Sequence, residues 1–426
     1  MSLGCAKNLV DTEVFMKQLD ADRFPIVLNP SENERIDTVV INTCGFILDA
    51  KNESIDTILR FARAKQSGRI RHLFVMGCLS HRYREQLERE LPEVDAFFGV
   101  HELKKIVERV GGRYLKELTG ERLLATPSHY AYLKIAEGCD RKCSFCSIPF
   151  IRGKHVSRPL CSLLTEAENL AASGVKELNI ISQDTTWYGL DRYRERKLPE
   201  LMRKLAGIRE LEWIRLHYTY PDGFPEDLLD VIRDHPTICK YIDIPLQHIS
   251  PFILRSMRRG LGTTATLRLL STIRKKIPGV AVRSTLMVGY PGETARMFRE
   301  LTEFVREACF ERLGIFTYSH EDGTPAGKLR DSVPERVKRE RAGELMELQQ
   351  GISLQLNRRK IGSILKVIID SREGDHWIGR TEHDSPEVDN EVIIPGKNLP
   401  LSPGNFYSVR IREAYEFDLA GELVKT

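Results

Sequence analysis

The sequence predicts an α/β protein with three domains: a small doubly wound amino-terminal domain, a central partial parallel β/α barrel, and a carboxy-terminal OB-like β-barrel. Apolar, strand-like runs alternate with amphipathic helical patterns through most of the 426 residues, which is typical of parallel sheets covered by helices. Near the end of the chain the helical patterns stop and short β-rich runs follow. We therefore expect domains at residues 1–125, 126–357 and 358–426.

Two apolar runs in the amino-terminal domain, residues 37–42 and 73–77, are predicted to be buried parallel strands. A helical pattern follows each run, so a small sheet surrounded by helices is expected. Ligands of such a sheet bind beyond the carboxyl ends of its strands. Only four residues precede Cys5, so a strand before it is expected to be truncated and its order weak.

The central domain repeats a strand-then-helix unit six times, which is fewer than a complete β/α barrel contains. A partial barrel is therefore predicted, with its chemistry on the loops that follow the strands. A charged helix at about residues 334–357 is expected to cover one flank. The six strands are expected at residues 132–136, 177–182, 213–217, 241–244, 280–288 and 312–318. Polar residues suited to a site follow these strands: Gln183, Asp184, Gln247, His248 and Glu293.

The carboxy-terminal domain has short β-rich runs at residues 365–369, 391–394 and 406–411. The dipeptides Pro395-Gly396 and Pro403-Gly404 lie between or beside these runs and indicate turns. Short strands separated by such turns predict a small β-barrel of OB-like construction.

The composition is that of a soluble globular protein, with 41% hydrophobic and 29% charged residues. The sequence has no apolar run long enough to span a membrane, and its first residues lack the apolar core of a signal peptide. The 9 cysteines are an odd number spread thinly over the chain, which argues against a disulfide framework. Together these features predict a protein of the reducing cytoplasm.

Three cysteines with the spacing C-x3-C-x2-C, namely Cys139, Cys143 and Cys146, form a triplet within one short loop. Iron–sulfur clusters are held by cysteine thiolates, and three ligands leave one iron of a four-iron cubane open to a substrate or cofactor. A zinc site is the alternative, but zinc usually takes four ligands in paired units, and no second pair follows. We call these three residues the loop triplet.

The loop closely resembles the signature of the radical S-adenosylmethionine (SAM) superfamily. The resemblance implies that the open iron chelates SAM and that an electron from the cluster cleaves SAM to a 5′-deoxyadenosyl radical. It also implies that the turn from Gly289 to Glu293 packs against the adenine, and that Gln183 and Asp184 contact SAM. An ordinary strand-to-helix turn and the usual polarity of a barrel mouth remain open alternatives.

Three further cysteines, Cys5, Cys44 and Cys78, each follow or end an apolar stretch of the amino-terminal domain and have a glycine beside them. If those stretches are parallel strands, the three thiols emerge at one edge of one sheet. Glycine lets the backbone approach a bulky inorganic group. The alternative, three buried small apolar side chains, remains open on spacing alone. We call these residues the sheet triplet.

The chain is similar over essentially its whole length to the methylthiotransferases, which are radical SAM enzymes. The resemblance implies a second 4Fe–4S cluster on the sheet triplet, SAM as co-substrate, and a TRAM domain at the carboxyl end. The motifs that carry it, besides the six cysteines, are Asn42-Thr43-Cys44-Gly45-Phe46, Ile148-Pro149 with Ile151-Arg152-Gly153, Asp243-Ile244-Pro245-Leu246-Gln247-His248, and Val288-Gly289-Tyr290-Pro291-Gly292-Glu293-Thr294.

One branch of that family modifies an adenosine of tRNA, and the other adds a methylthio group to the β-carbon of an aspartate in the twelfth protein of the small ribosomal subunit. The second branch is the closer resemblance, through Gln183-Asp184-Thr185-Thr186 and through the strings at residues 45–56 and 380–387. It implies a basic ribosomal protein as substrate and an electron donor such as a flavodoxin or ferredoxin.

Charge supports the same choice. From Lys366 to Thr426 the chain has 12 Asp or Glu and 7 Lys or Arg, and an acidic barrel would repel tRNA and attract a basic protein. We therefore expect tRNA to be an unlikely partner. For the acidic excess, the alternative is a solvated surface without a partner. For the function, the alternatives are a radical SAM enzyme that catalyses another reaction and a non-enzymatic RNA-binding module.

Overall fold

The computed structural model describes residues 1–20, 24–30, 34, 36–118, 121–397 and 399–424. Three parts follow one another along the chain: a parallel sheet with helices on both faces, a set of six parallel strands with outer helices, and a closed five-stranded barrel. The predicted fold class is confirmed. The boundaries after residues 125 and 357 stay predictions.

The amino-terminal sheet is parallel, with its three strands in chain order. Its strands are β1 (Thr38–Thr43), β2 (His72–Gly77) and β3 (Ala96–Phe98), and its helices are α1 (Ala6–Asp20), α2 (Leu48–Gln66), α3 (Cys78–Glu90) and α4 (Leu103–Val110). Apolar residues of α2 and α3 pack on one face of the sheet, and those of α1 and α4 pack on the other. The layers explain why the middle residues of both predicted strands, Val39–Ile41 and Leu73–Met76, are apolar.

The first residues of the chain lie beside β1, where they form a single parallel bridge between Ser2 and Asn42. The Leu3 N–H donates to the Asn42 carbonyl at 3.0 Å, and the Asn42 N–H donates to the Met1 carbonyl at 2.9 Å. The described segment before Cys5 is therefore paired to the sheet, and the expectation of weak order there is wrong.

The six predicted strands of the central domain are all present and parallel. They form two three-stranded sheets, ordered β4-β7-β8 and β9-β10-β11, while β5 and β6 form a small antiparallel pair. The Thr219 N–H donates to the Asp243 carbonyl at 2.9 Å, so the two sheets continue each other. The strands are β4 (Tyr130–Lys134), β5 (Ala136–Glu137), β6 (Val156–Ser157), β7 (Glu177–Ile181), β8 (Trp213–Leu216), β9 (Tyr241–Asp243), β10 (Ala281–Val288) and β11 (Arg312–Thr317).

Helices cover the outside of this incomplete barrel, and one large apolar core lies between them and the strands. The helices are α5 (Ile148–Arg152), α6 (Leu160–Ala172), α7 (Leu190–Tyr193), α8 (Leu198–Leu205), α9 (Asp227–Asp234), α10 (Pro251–Ser256), α11 (Thr263–Lys276), α12 (Ala295–Ala308) and α13 (Glu335–Arg358). Short 3-10 helices lie at Lys116–Leu118, Thr185–Trp187 and Ala326–Lys328. In the described part of the chain, no helix combines the length and apolarity needed to cross a membrane.

The carboxy-terminal barrel is closed, in the order β12-β13-β14-β16-β15. Its strands are β12 (Ile364–Glu373), β13 (His376–Arg380), β14 (Val392–Pro395), β15 (Phe406–Ala414) and β16 (Leu419–Leu423). Three of the five were predicted, and β13 and β16 were missed. The long helix predicted before the barrel is α13, which begins and ends within a residue of its expected range.

The loop between β13 and β14, residues 381–390, packs against the amino-terminal ends of the central strands, and we call it the docking loop. Its Asp384 carboxylate pairs with Arg312 at the start of β11, and both side chains are almost wholly buried. Asp389 accepts from the Tyr241 hydroxyl at 2.7 Å and pairs with Arg283 at 3.2 Å. These contacts fix the barrel to the central domain.

The contacts of the docking loop contradict what we expected from the acidic net charge of the carboxy-terminal domain. Four acidic residues of this domain bind groups of the chain itself: His129, the Lys240 backbone N–H, or buried arginines. They are Asp370, Glu382, Asp384 and Asp389. A large part of the acidic excess therefore neutralises internal cations, because net charge cannot show which face carries it. The expectation that these residues form a free acidic surface is wrong.

The amino-terminal domain contacts both edge strands of the incomplete barrel. At the first edge, Asp11 of α1 pairs with Lys134 at the end of β4 and with Arg152 of α5. At the last edge, Glu321, which follows β11, pairs with Lys51 at 2.9 Å and with Arg82 at 2.7 Å. The domain thus spans the open side of the barrel.

Candidate iron–sulfur and SAM site

The loop triplet follows β5 and is held in a tight turn. Gly138 has a φ of +75°, and a Cβ built on it would lie 2.1 Å from the Lys154 carbonyl oxygen, so only glycine fits. The Cys139 N–H donates to the Gly153 carbonyl at 3.1 Å. The turn therefore places Cys139 directly beyond the end of a barrel strand, where the chemistry of such barrels lies.

Hydrogen-bonding groups surround two thiols of the loop triplet. The Arg141 backbone N–H lies 3.4 Å from the Cys139 sulfur, and an Arg259 nitrogen lies 3.5 Å from the Cys143 sulfur. The Tyr220 hydroxyl, which donates to the Arg259 carbonyl, also lies 3.5 Å from the Cys143 sulfur. Burial raises the pKa of Cys139 and of Cys146 to about 12. Metals bind thiolates rather than thiols, so these cysteines must lose their thiol protons when a cluster binds. The positive charge of the iron would then stabilise the buried thiolates. Donors aimed at the sulfurs fit a negatively charged cluster.

Asp184, a predicted SAM contact, is already engaged by the protein. Its carboxylate pairs with the Arg141 guanidinium at 2.8 Å and accepts from the backbone N–H of Thr186 at 2.9 Å. The Arg141 guanidinium in turn lies 3.9 Å from the ring centre of Tyr220. Asp184 therefore orients Arg141 and, through it, one side of the cysteine loop.

Gln183, the second predicted SAM contact of this strand end, retains a free acceptor. Its amide nitrogen donates to Glu137 at 2.9 Å, while its Oε1 is buried and has no hydrogen-bond partner among the residues that the structure describes. Buried carbonyl oxygens almost always have a partner. An unpaired one beside the cysteine loop fits a ligand that supplies a donor.

The turn from Gly289 to Glu293 lies against the cysteine loop. The Glu293 carboxylate accepts from the Gly289 N–H and pairs with Arg341 of α13 at 3.2 Å. The hydroxyl of Tyr290, a fully buried side chain, lies 2.9 Å from the Ser144 hydroxyl within the cysteine loop. Glu293 therefore shapes the turn, and Tyr290 joins the turn to the loop triplet.

The sheet triplet gathers at the carboxyl edge of the amino-terminal sheet. Thr43 and Gly77 are register partners at the ends of β1 and β2, so Cys44 and Cys78 emerge side by side. Burial raises the pKa of both thiols, and the charge of Cys5, in the turn before α1, raises them further. Cys5 is exposed, whereas Cys44 and Cys78 are buried.

Glycines make the close packing around the sheet triplet possible. A Cβ on Gly4 would lie 2.5 Å from the Cβ of Cys44, and one on Gly45 would lie 2.7 Å from the Cα of Leu79. A Cβ on Gly77 would lie 2.3 Å from Asn42 Oδ1. Larger residues would thus displace the backbone that carries each thiol. The expectation that these glycines let the backbone approach an inorganic group stays a prediction.

Among the described residues, no three His, Cys, Asp or Glu side chains converge closely enough to hold one metal ion.

Arg152 is the main residue of this region that the sequence did not indicate. It belongs to a motif that carried the family resemblance, but its pattern gave no role. The structure buries its guanidinium between α1 of the amino-terminal domain and the strand that leads to the loop triplet. Its partners are distant in sequence, so spacing could not reveal them.

Family models match three parts of the chain. Residues 1–99 match the model described as Uncharacterized protein family UPF0004, residues 133–305 match the Radical SAM superfamily, and residues 361–424 match the TRAM domain. Membership of the radical SAM superfamily implies a 4Fe–4S cluster and SAM.

Full-length relatives carry one name. The protein called ribosomal protein uS12 methylthiotransferase RimO from Cytophaga hutchinsonii is 53% identical over 425 residues, which are 100% of this chain and 97% of that protein. The protein of the same name from Bacteroides fragilis is 51% identical over 425 residues, which are 100% of this chain and 98% of that protein.

Solved structures agree on the fold. The radical S-adenosylmethionine methyltransferase TsrM from Kitasatospora setae superposes with a TM-score of 0.54 at 16% identity, covering 76% of this chain and 71% of that one. Together with the full-length relatives and the three matching models, the two cysteine triplets lead to one conclusion. The chain belongs to the RimO family of radical SAM methylthiotransferases.

Proposed function

We propose that this chain replaces a hydrogen on the β-carbon of an aspartate of ribosomal protein uS12 with a methylthio group. The observation that carries the proposal is the presence of two cysteine triplets at one interface between domains, linked by Arg152. One triplet suits SAM cleavage, and the other supplies a second place for sulfur chemistry. The names of the 50–53% identical relatives support the ribosomal substrate.

The loop triplet is assigned to the 4Fe–4S cluster that binds SAM, with Cys139, Cys143 and Cys146 as its ligands. When bound, this cluster supplies the electron that cleaves SAM. The chain's own contribution is positional: the N–H, hydroxyl and guanidinium groups around the sulfurs stabilise a negatively charged cluster, and the Gly138 turn holds it at the barrel mouth.

SAM is assigned to the end of the barrel that carries the cysteine loop, Gln183 and the Gly289 turn. The free Gln183 Oε1 is the best-placed acceptor for a donor of SAM, because it is buried and unpaired. Gly289 is proposed to offer its backbone to the adenine, with Glu293 holding the turn in shape. Asp184 acts on SAM at most through Arg141, since its oxygens already have partners.

The sheet triplet is assigned to a second 4Fe–4S cluster, with Cys5, Cys44 and Cys78 as ligands. Its support is the convergence of three thiols beside three glycines whose positions exclude a Cβ. An electron donor such as a flavodoxin or ferredoxin completes the system, and we place the reaction in the cytoplasm, where the nine free thiols remain reduced.

The test is anaerobic incubation of the reconstituted full chain with SAM, a reductant and purified uS12, followed by mass spectrometry of uS12 peptides. We expect one SCH3 in place of one hydrogen on an aspartate, and about eight irons per chain. A parallel incubation with tRNA is the control. Modified adenosine in tRNA, with uS12 unchanged, would overturn the assignment of the substrate.

A further inference from the structure

The Arg152 guanidinium occupies a buried position where the two domains meet. Only 2% of the side chain is exposed. Its Nη1 donates to Asp11 at 3.0 Å and to Glu137 at 2.9 Å, and its Nη2 donates to the Asn8 side chain at 2.5 Å. Asp11 and Asn8 belong to α1, whereas Glu137 precedes the loop triplet. One side chain therefore connects the two domains.

The same guanidinium faces the sheet triplet. Its positive charge lowers the pKa of the Cys44 and Cys78 thiols, against the effect of burial, which raises it. Asn8, which accepts from Arg152, also lies 3.6 Å from the Cys78 sulfur. Arg152 is the last residue of α5, which follows Cys146 in the chain. A residue of the central domain therefore acts on cysteines of the amino-terminal domain.

The charges around Arg152 nearly balance. Asp11 and Glu137 are its anionic partners, and Lys134 is the second cation, paired with both carboxylates. Removing Arg152 would leave two carboxylates and one lysine beside the sheet triplet. A buried pair that loses one partner leaves an uncompensated charge, here a negative one close to the thiolates.

We propose that Arg152 is a positioning residue for the cluster on the sheet triplet: it fixes that cluster relative to the loop triplet and stabilises the cluster's reduced form. The inference rests on the proposed function only in requiring that the sheet triplet holds a cluster. Reduction adds negative charge, so a nearby buried cation favours the reduced state and raises the midpoint potential. Hydrogen bonding to two domains at once requires the planar fork of arginine.

Arg122 provides a matched control. Its guanidinium is 1% exposed and pairs with Glu13 of α1 at 2.9 Å and with Glu166 of α6 at 3.0 Å. It therefore also ties α1 to the central domain through buried ion pairs, but its named partners include no cysteine. The Arg122→Gln variant therefore shows how a weaker interface between α1 and the central domain, by itself, affects the cluster.

The experiment measures the cluster of the sheet triplet alone, in the full chain, without SAM or ribosomal protein. The loop triplet is replaced by alanine, and the remaining cluster is titrated anaerobically with detection by electron paramagnetic resonance, together with iron analysis. In this background we expect Arg152→Gln to shift the reduction equilibrium at least tenfold toward the oxidised form, which is 59 mV for one electron. Arg152→Lys should recover most of the shift because it keeps the charge, and Arg122→Gln should leave the potential unchanged.

Two results overturn the inference: an Arg152→Gln protein with full iron and an unchanged potential, or an Arg122→Gln protein with an equal shift. If Arg152→Gln loses its iron, retention of iron by both Arg152→Lys and Arg122→Gln supports the inference, and loss from all three contradicts it. A parent protein that holds no cluster on the sheet triplet contradicts the proposed function instead, so the two failures are distinguishable.

Discussion

Replacing Asp384 with asparagine is expected to release the docking loop from the central domain. The change keeps the shape of the side chain but removes the charge that neutralises Arg312, and the two side chains are only 2% and 5% exposed. Breaking a buried ion pair by removing one partner costs about 3–5 kcal/mol, because the remaining charge stays buried. The barrel-to-core contact is therefore expected to weaken by that amount.

Hydrogen exchange of the amides in residues 381–390 measures this loss. A cost of about 3–5 kcal/mol corresponds to exchange that is about 10²- to 10⁴-fold faster, if exchange follows opening of the loop. Asp375→Asn is the control on the same barrel, since Asp375 is 68% exposed and its nearest cation lies 3.9 Å away. Unchanged exchange in the Asp384→Asn protein would refute the view that the acidic loop is a structural contact.

The same ion pair predicts a pH dependence. Burial alone would raise the pKa of Asp384, but Arg312 and Lys360 outweigh it and lower the pKa to about 2. A carboxyl whose pKa is lower in the folded state stabilises that state above its unfolded pKa, near pH 4, and the stabilisation is lost as the pH falls toward 2. About 2–3 kcal/mol of docking free energy should disappear over that interval in wild type and be absent throughout in Asp384→Asn.

Three further variants test the site. Cys143→Ala should abolish 5′-deoxyadenosine formation and remove about half of the iron, because each thiolate is a direct ligand; sustained 5′-deoxyadenosine formation would exclude the loop triplet as the SAM-binding cluster. Cys78→Ala should leave reductive SAM cleavage intact but stop methylthiolation of uS12, and normal product would show that the sheet triplet is dispensable. Glu293→Gln removes the carboxylate that holds the Gly289 N–H and a buried arginine, so the KM for SAM should rise several-fold with a smaller change in kcat. Glu300→Gln, which affects an exposed ion pair on the following helix, should behave as wild type; if both variants give the same KM, Glu293 has no part in shaping the turn.

Central strands such as β7 and β8 were predictable because they are short, largely apolar runs that are buried on both faces. Such runs stand out from amphipathic helices without any tertiary information, and the strand expected at residues 177–182 is β7 at Glu177–Ile181. The convergence of Cys44 and Cys78 was predictable for the same reason. Two parallel strands of equal length end at the same edge.

The missed strands lack such a signal. β16 (Leu419–Leu423) contains alanine, glycine and glutamate, which have little preference for strands, and it exists because β14 and β15 pair with it on both sides. β13 is only five residues long and contains glycine. These two segments form strands because they pair with neighbouring strands when the barrel closes, and that pairing cannot be read from their local sequence.

Arg152 and the docking loop were beyond the sequence for a different reason. Two partners of Arg152 lie on α1, and one of them, Asn8, is separated from Arg152 by 144 positions in the chain. The acidic residues of the docking loop were counted correctly, but the buried arginines that neutralise them belong to separate strands of the central domain. The net charge of a segment gives the number of its charged residues but not where their side chains lie.

The contact between the amino-terminal domain and the last edge of the barrel constrains the order of events during synthesis. Lys51 and its partner Glu321 are 270 positions apart, so the ribosome needs about 10–50 s to produce the second residue after the first at about 5–20 residues per second. During that interval Lys51 and Arg82 have no Glu321 to bind, and Cys44 and Cys78 lie in a domain that is not yet seated across the barrel. The second cluster that we propose for these cysteines therefore has a period of open access for its assembly, which ends when β11 and the residues after it have been made.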